Sequence, residues 1–208
     1  MFITFEGPDG SGKTSQMAEL AAHLHECKFD LLATREPGGT IIGDQIRAIL
    51  LAMENQDMHP RTETLLFQAS RAQLVEECIR PHLAKGGVVL CDRYADSTIA
   101  YQGYGYKVDI KQVRAIVDFA TGCLTPDLTL LLDLDVEEGL RRRAGGGSIN
   151  RLDAYELAFH QRVRDGYLLL ANADPGRWVV VDADRSFEQV QIDIRQIVMK
   201  RLGQPARS

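Results

Sequence analysis

The sequence predicts an α/β fold in three layers, with a five-stranded, mainly parallel, doubly wound sheet flanked by helices. Three observations carry that prediction. Five short segments rich in apolar and β-branched residues recur along the chain. The stretches between them are longer, and their apolar residues repeat at helical spacing. A glycine-rich loop joins the first strand pattern to the first helical pattern.

Taken in order, Phe2–Glu6 has alternating strand character and opens into the loop from Gly7 to Thr14. Thr14–His25 follows as a helix. Leu31–Arg35 is the second strand, and the turn Arg35-Glu36-Pro37-Gly38-Gly39-Thr40 leaves it with two residues free of a Cβ. Arg61–Leu83 reads as a long helix whose Leu65, Leu66, Ala69, Ala72 and Val75 make an apolar face with a polar back. Val88–Cys91 is the third strand and ends in Asp92. Asp109–Ala120 is helical, Leu128–Leu134 is the fourth strand, and a basic helix end at Arg141–Arg143 runs into Gly145–Gly147. Leu152–Ala171 is a further helix and Trp178–Val181 the fifth strand. The two glycine-rich turns suit segments that close over a ligand, although surface loops are commonly glycine-rich without that role.

A chain of 208 residues supports one domain, 1–208, with one site. Apolar content of 45% and charged content of 25% are globular values, which sets disorder aside. The apolar runs are short and no basic-then-apolar leader is present, so a cytoplasmic protein without membrane contact is expected. Cys27, Cys78, Cys91 and Cys123 lie far apart with no C-x-x-C pair, as reduced thiols do. A net charge of −5 without a long Lys/Arg run disfavours a nucleic-acid polymer as partner. Any phosphate ligand has to be held by local geometry.

The opening loop has that geometry. Gly7, Pro8, Asp9, Gly10, Ser11, Gly12, Lys13 and Thr14 fit G-x-x-x-x-G-K-[ST]. Glycines let backbone N–H groups converge on phosphate oxygens, the next helix directs its positive end at them, and Lys13 adds a point charge. Thr14 offers a hydroxyl to Mg²⁺. Asp92, at a strand end, supplies the carboxylate that a magnesium-bound phosphate needs nearby. A ligand-free glycine turn and a helix-capping Asp92 are the bland alternatives. No guanine-reading N-K-x-D pattern occurs, which weakens a GTPase reading. Beyond the third strand, Asp92-Arg93-Tyr94, Ser97-Thr98 and Tyr101-Gln102-Gly103 put charged, hydroxylated and aromatic groups together. With Leu65–Arg71 they suit a second pocket facing the phosphate loop.

EGPDGSGKT, REPGGT, LLFQASRAQ and DRYADSTIAYQG, in this order and at these separations, resemble the motifs of the bacterial thymidylate kinase family. The resemblance runs through nearly the whole chain. It implies a P-loop kinase fold with a mobile lid at about 141–153, and the reaction of ATP with dTMP to give ADP and dTDP. It further implies Mg²⁺ and a homodimer with separate active sites.

From the resemblance together with side-chain chemistry, Phe67 is expected to stack on thymine. Arg71 would donate to a base carbonyl, and Thr98, with Ser97 beside it, would bond another base edge. Tyr101 would crowd the sugar C2′, Gln102 would join the dTMP site, and Arg93 would bind the acceptor phosphate with its guanidinium fork. Singly, each has a plainer reading: Phe67 as core, Arg71 as a solvated charge, Tyr101 as a surface aromatic, Ser97-Thr98 as a helix start. Asp9 in the phosphate loop would repel phosphate unless compensated, and Arg93 is its expected partner. Glu36 would position acceptor or metal-bound water, and Pro37 would shape the pocket wall.

Some members of the family carry a basic residue in the loop where Gly10 stands here; others take the catalytic arginine from the lid. This chain resembles the second kind. Arg151 is the first candidate and Arg142 the second. Arg151 matches the arginine of a D-R-x-E lid pattern, but Asn150 and Asp153 replace its acids. Lys13, Arg93, Arg151 and Asp9 make the expected catalytic set, acting by direct in-line transfer without a covalent intermediate. A P-loop kinase for another deoxynucleotide or a deoxynucleoside competes with this reading, as does a non-catalytic nucleotide-binding module.

Overall fold

The structure is a computed structural model, and it describes residues 1–145 and 155–203. Five strands form one parallel sheet in the order β2-β3-β1-β4-β5: β1 Phe2–Glu6, β2 Leu31–Arg35, β3 Val88–Asp92, β4 Leu128–Asp133 and β5 Trp178–Asp182. β1 is central and buried on both faces, which is why it reads as nearly continuous apolar sequence. Ile3 and Phe5 pack with Leu20 and Leu24 of α1 (Lys13–Glu26) and with Ile194 and Val198 of α9 (Phe187–Arg201). On the other face Phe2 meets Tyr94, while Leu131 and Trp178 pack against Val163 and Tyr167.

The remaining helices are α2 Ile41–Leu51, α3 Pro60–Leu74, α4 Arg80–Ala84, α5 Ala95–Thr98, α6 Ile110–Thr121, α7 Val136–Gly145 and α8 Leu157–Ala173. The single helix expected over Arg61–Leu83 is interrupted. Between α3 and α4 lies a wider π turn, Val75–Ile79, closed by the Arg80 N–H on the Val75 carbonyl. Pro81 explains it: proline cannot donate to the carbonyl four residues back and its ring crowds that group, so the turn widens. The helix expected from Leu152 begins at Leu157, after Tyr155 has packed against Tyr106 and Phe159. A second π-helical stretch, Ile99–Gly105, continues α5 and was not foreseen. The expected lid at 141–153 lies outside the described residues from 146 onward, and Arg151 with it.

Parallel registry brings Phe5 of β1 and Arg35 of β2 level with Asp92 of β3. The three strands therefore end together, and the segments after them share one edge of the sheet. Ligands in open α/β sheets bind at this carboxyl edge.

Candidate active site

The phosphate loop runs from β1 into α1, with Gly12 in a left-handed conformation as the helix N-cap. Lys13 Nζ donates to the Pro8 carbonyl at 2.7 Å and to Ser11 Oγ at 3.2 Å, so the ammonium lies back across the loop. Burial, and then the neighbouring Arg93, pull Lys13 down to about 8. Gly10 has φ +79°, and a Cβ there would run into the Gly139 carbonyl of α7. Reciprocally, a Cβ on Gly139 would come within 2.5 Å of the Asp9 carbonyl. Two glycines thus let loop and helix backbones touch, and position 10 has no room for a basic side chain.

The acceptor side is organised around Arg93. Its backbone sits at φ +67°, a left-handed conformation that costs a non-glycine residue about 1–3 kcal/mol and is commonest at functional sites. Arg93 Nη2 donates to Asp9 Oδ1 at 2.5 Å, and the guanidinium lies 5.1 Å over the Tyr101 ring. The Tyr101 hydroxyl donates to the other Asp9 oxygen at 2.7 Å. Burial pushes the Asp9 carboxyl up, but Arg93, Lys13 and the Tyr101 bond outweigh it and hold the group at about 2. Asp9 is therefore an anion whose charge is already matched before any phosphate arrives.

Arg71 lies deeper than its sequence position suggests. It is 1% exposed, and its guanidinium makes five bonds: two to Glu36 Oε2, and one each to Gln68, Thr98 and the Tyr94 carbonyl. All five N–H donors of the fork are thereby engaged. It forms the wall behind the pocket, and a base carbonyl would be reached only by exchanging Gln68 or Thr98 at Nη1. Thr98 Oγ1 also accepts from Gln68 at 3.0 Å, and Gln102 Nε2 donates to Glu63 at 2.9 Å. Ser97 Oγ donates to the buried carboxylate of Glu6 at 2.6 Å. The polar residues expected at dTMP are thus held by one another in the structure.

The Thr14 hydroxyl donates to Asp92 Oδ2, and Asp92 Oδ1 is buried without a hydrogen-bond partner among the described residues. A hydroxyl beside a carboxylate with an unpartnered oxygen is the oxygen donor set that suits a magnesium ion and its waters. Glu36 Oε1 is unpartnered in the same way. Arg142 bonds Glu138, the Ala183 carbonyl at 3.0 Å and Asp184 at 2.9 Å, and so spans from α7 to the end of β5.

One cavity of about 570 Å³ joins these parts. Its lining includes Gly12, Lys13 and Thr14 of the phosphate loop, Asp9, Asp92 and Arg93, and Phe67, Thr98, Tyr101 and Gln102. Glu36 and Pro37 form part of its wall, the latter after a cis peptide bond.

The family profile described as Thymidylate kinase matches residues 5–194. A thymidylate kinase of Roseiflexus sp. strain RS-1 is 51% identical over 219 aligned positions, covering 100% of this chain and 97% of that one. The chain belongs to the thymidylate kinase family. Another member, from Thermomicrobium roseum, is 58% identical across 88% of this chain and 86% of its own length. The crystal structure of the thymidylate kinase from Ehrlichia chaffeensis superposes with a TM-score of 0.77 at 34% identity, over 95% of this chain and 98% of that one.

For this member of the thymidylate kinase family, sequence reasoning missed three residues at the site. Gly139 is one of two glycines in a polar helix. Glu6 reads as the last residue of a strand. Tyr167 reads as an aromatic on the apolar face of α8. Period-two alternation held the clue for Glu6: Phe2, Thr4 and Glu6 share the face opposite Ile3 and Phe5, so a carboxylate there is buried.

Proposed function

We propose that the chain transfers the γ-phosphoryl group of ATP to dTMP, giving ADP and dTDP. The observation that carries this reading is one cavity lined both by the phosphate-loop residues Gly12, Lys13 and Thr14 and by Phe67, Tyr101 and Arg93. A phosphate oxygen of dTMP bonds the γ-phosphorus, and the bond from that phosphorus to the β–γ bridging oxygen breaks in line. The dTMP phosphate is already largely ionised near neutral pH, so aligning two anions matters more than removing a proton.

Lys13 and the loop amides hold the donor phosphates, and Arg93 holds the acceptor phosphate. Asp9 keeps Arg93 aimed and, with Tyr101, borders the sugar. Phe67 faces the thymine, and Pro37 and Glu36 border it. Thr14 and Asp92 would hold Mg²⁺, partly through water. The ion would supply positive charge to the donor phosphates. Arg142 would lie at the ATP end and Arg151 would bring charge to the transferring group. Enclosure of the cavity would exclude water, which otherwise makes transfer hydrolysis.

The test is an acceptor panel of dTMP, dUMP, dCMP, AMP and thymidine, read by ADP release with and without EDTA. dTMP should exceed dUMP in kcat/KM by roughly 10–200-fold, the discrimination one methyl supplies in an apolar pocket. Equal values would remove the thymine pocket, and preference for another acceptor would make this a kinase of that acceptor. No ADP with any acceptor would leave a nucleotide-binding module. Activity untouched by EDTA would remove the metal.

The protein is further proposed to work as a homodimer in the cytoplasm. No helix among the described residues is long and apolar enough to cross a membrane. Phe119 on α6 is 90% exposed and Leu65 on α3 is 57% exposed, and these helices pack side by side with α2, where Ile41, Ile42 and Ile49 are also exposed. An apolar surface spread over three adjacent helices supports burial against a second copy. Sedimentation should give a dimer that Phe119→Asp weakens. A monomeric unsubstituted chain would end this part of the reading.

A further inference from the structure

Glu6 is fully buried at the end of β1, next to the phosphate loop, and the mechanism above does not use it. Its Oε1 accepts the Tyr94 N–H at 2.7 Å. Its Oε2 accepts the Ser97 hydroxyl at 2.6 Å and the Tyr167 hydroxyl at 2.8 Å. Both hydroxyls lie 3.3 Å from Arg93 Nη1, whose third contact at that distance is the Gly7 carbonyl. Each hydroxyl therefore accepts from Arg93 and donates to Glu6. The Tyr94 N–H is the amide directly after the left-handed Arg93, so the carboxylate grips both the backbone of that turn and, through two hydroxyls, its guanidinium.

Burying a carboxylate is expensive, and an apolar residue of like volume would stabilise the fold as well or better. Burial, followed by Asp96 on α5, pushes the Glu6 carboxyl up to about 7, against the pull of the Ser97 bond and Arg93. A carboxyl buried at such cost, with three hydrogen bonds to its two oxygens, is spent on geometry. We propose that Glu6 is a positioning residue for the acceptor phosphate: it clamps the Arg93 turn and aims the guanidinium along the cavity. The inference rests on the proposal that Arg93 receives the dTMP phosphate.

Glutamine cannot do the same work. With its oxygen toward Tyr94, its NH₂ meets two hydroxyls that lie 2.9 Å apart; one can donate to the other, and the second proton then lacks the carboxylate acceptor. Turned over, its NH₂ meets the Tyr94 N–H. Glu6→Gln, nearly isosteric, should weaken dTMP binding by roughly 10-fold or more, in line with the cost of a misplaced catalytic group, while ATP binding is unchanged. Calorimetric titration of each nucleotide into the full chain reads both. In an Arg93→Ala background the same change should add nothing, because coupled residues are not additive.

Unchanged dTMP affinity in Glu6→Gln, equal weakening of ATP and dTMP, or full additivity with Arg93→Ala would each overturn the clamp. Should Glu6→Gln fail to fold, Tyr167→Phe removes one hydroxyl of the same grip. Weaker dTMP binding with ATP unaffected then supports the clamp, and unaltered dTMP affinity overturns it. If the unsubstituted chain binds no dTMP, the proposed function fails, a result distinct from all of these.

Discussion

Arg151→Ala is expected to lower kcat by roughly 10³–10⁵-fold, the contribution of an arginine placed on a transferring phosphoryl group. The expectation comes from the family resemblance, in which the lid supplies the arginine when the phosphate loop has no basic side chain; Arg35, Arg47 and Arg143 also line the cavity. Position 10 of the phosphate loop has no space for a side chain, because the Gly139 carbonyl stands where a Cβ would be. Arg93 is paired with Asp9 at 2.5 Å and is proposed to receive the acceptor phosphate. Arg71 has all its donors engaged within the wall. Arg142 is tied between Glu138 and Asp184. Arg151 matches the lid arginine of the family pattern and is proposed, on that resemblance, as the cation that meets the γ-phosphoryl group. A coupled ADP assay beside nucleotide binding reads the effect. Near-normal kcat in Arg151→Ala, with the loss appearing in Arg142→Ala instead, would transfer the role to α7.

Lys13→Met is expected to cost roughly 10²–10³-fold in kcat/KM for ATP, the scale of removing one preorganised donor from a developing anion. Methionine keeps the length and loses the charge together with the bonds to Pro8 and Ser11. In the free protein the ammonium is held at about 8 by burial and Arg93, and it is charged below that value and neutral above it. Because kcat/KM reports groups of the free enzyme, the value for ATP should fall as pH rises through about 8. A profile flat well into the alkaline range, or a Lys13→Met protein of ordinary activity, would show that the loop amides hold the donor phosphates without the lysine.

Much of the site was legible because its chemistry is local in sequence. Gly7 to Thr14 set a backbone path within eight consecutive residues, and Asp92 is the last residue of an apolar strand, so both could be placed from spacing alone. The pairing of Asp9 with Arg93 followed from charge, since a carboxylate beside phosphate needs a cation. Arg71 was expected at the thymine base, whereas the structure buries it behind Thr98, outside the lining of the cavity. Its exposure depends on Glu36, Gln68, Thr98 and Tyr94 closing round it, and only their packing decides that. The break before α4 was in principle readable from Pro81, although helical periodicity alone ran straight through it.

The linear chain was sufficient for the sheet of five parallel strands and the phosphate loop, since each arises from a period or a spacing within a short window; the acceptor motifs were assigned by resemblance to the family. Three-dimensional packing decided the rest. Glu6 meets Tyr167 across 161 residues, and Gly10 meets Gly139 through backbones alone. No local pattern encodes such encounters, because they exist only once strands β1 and β3 lie side by side and helices α7 and α8 close over their carboxyl ends.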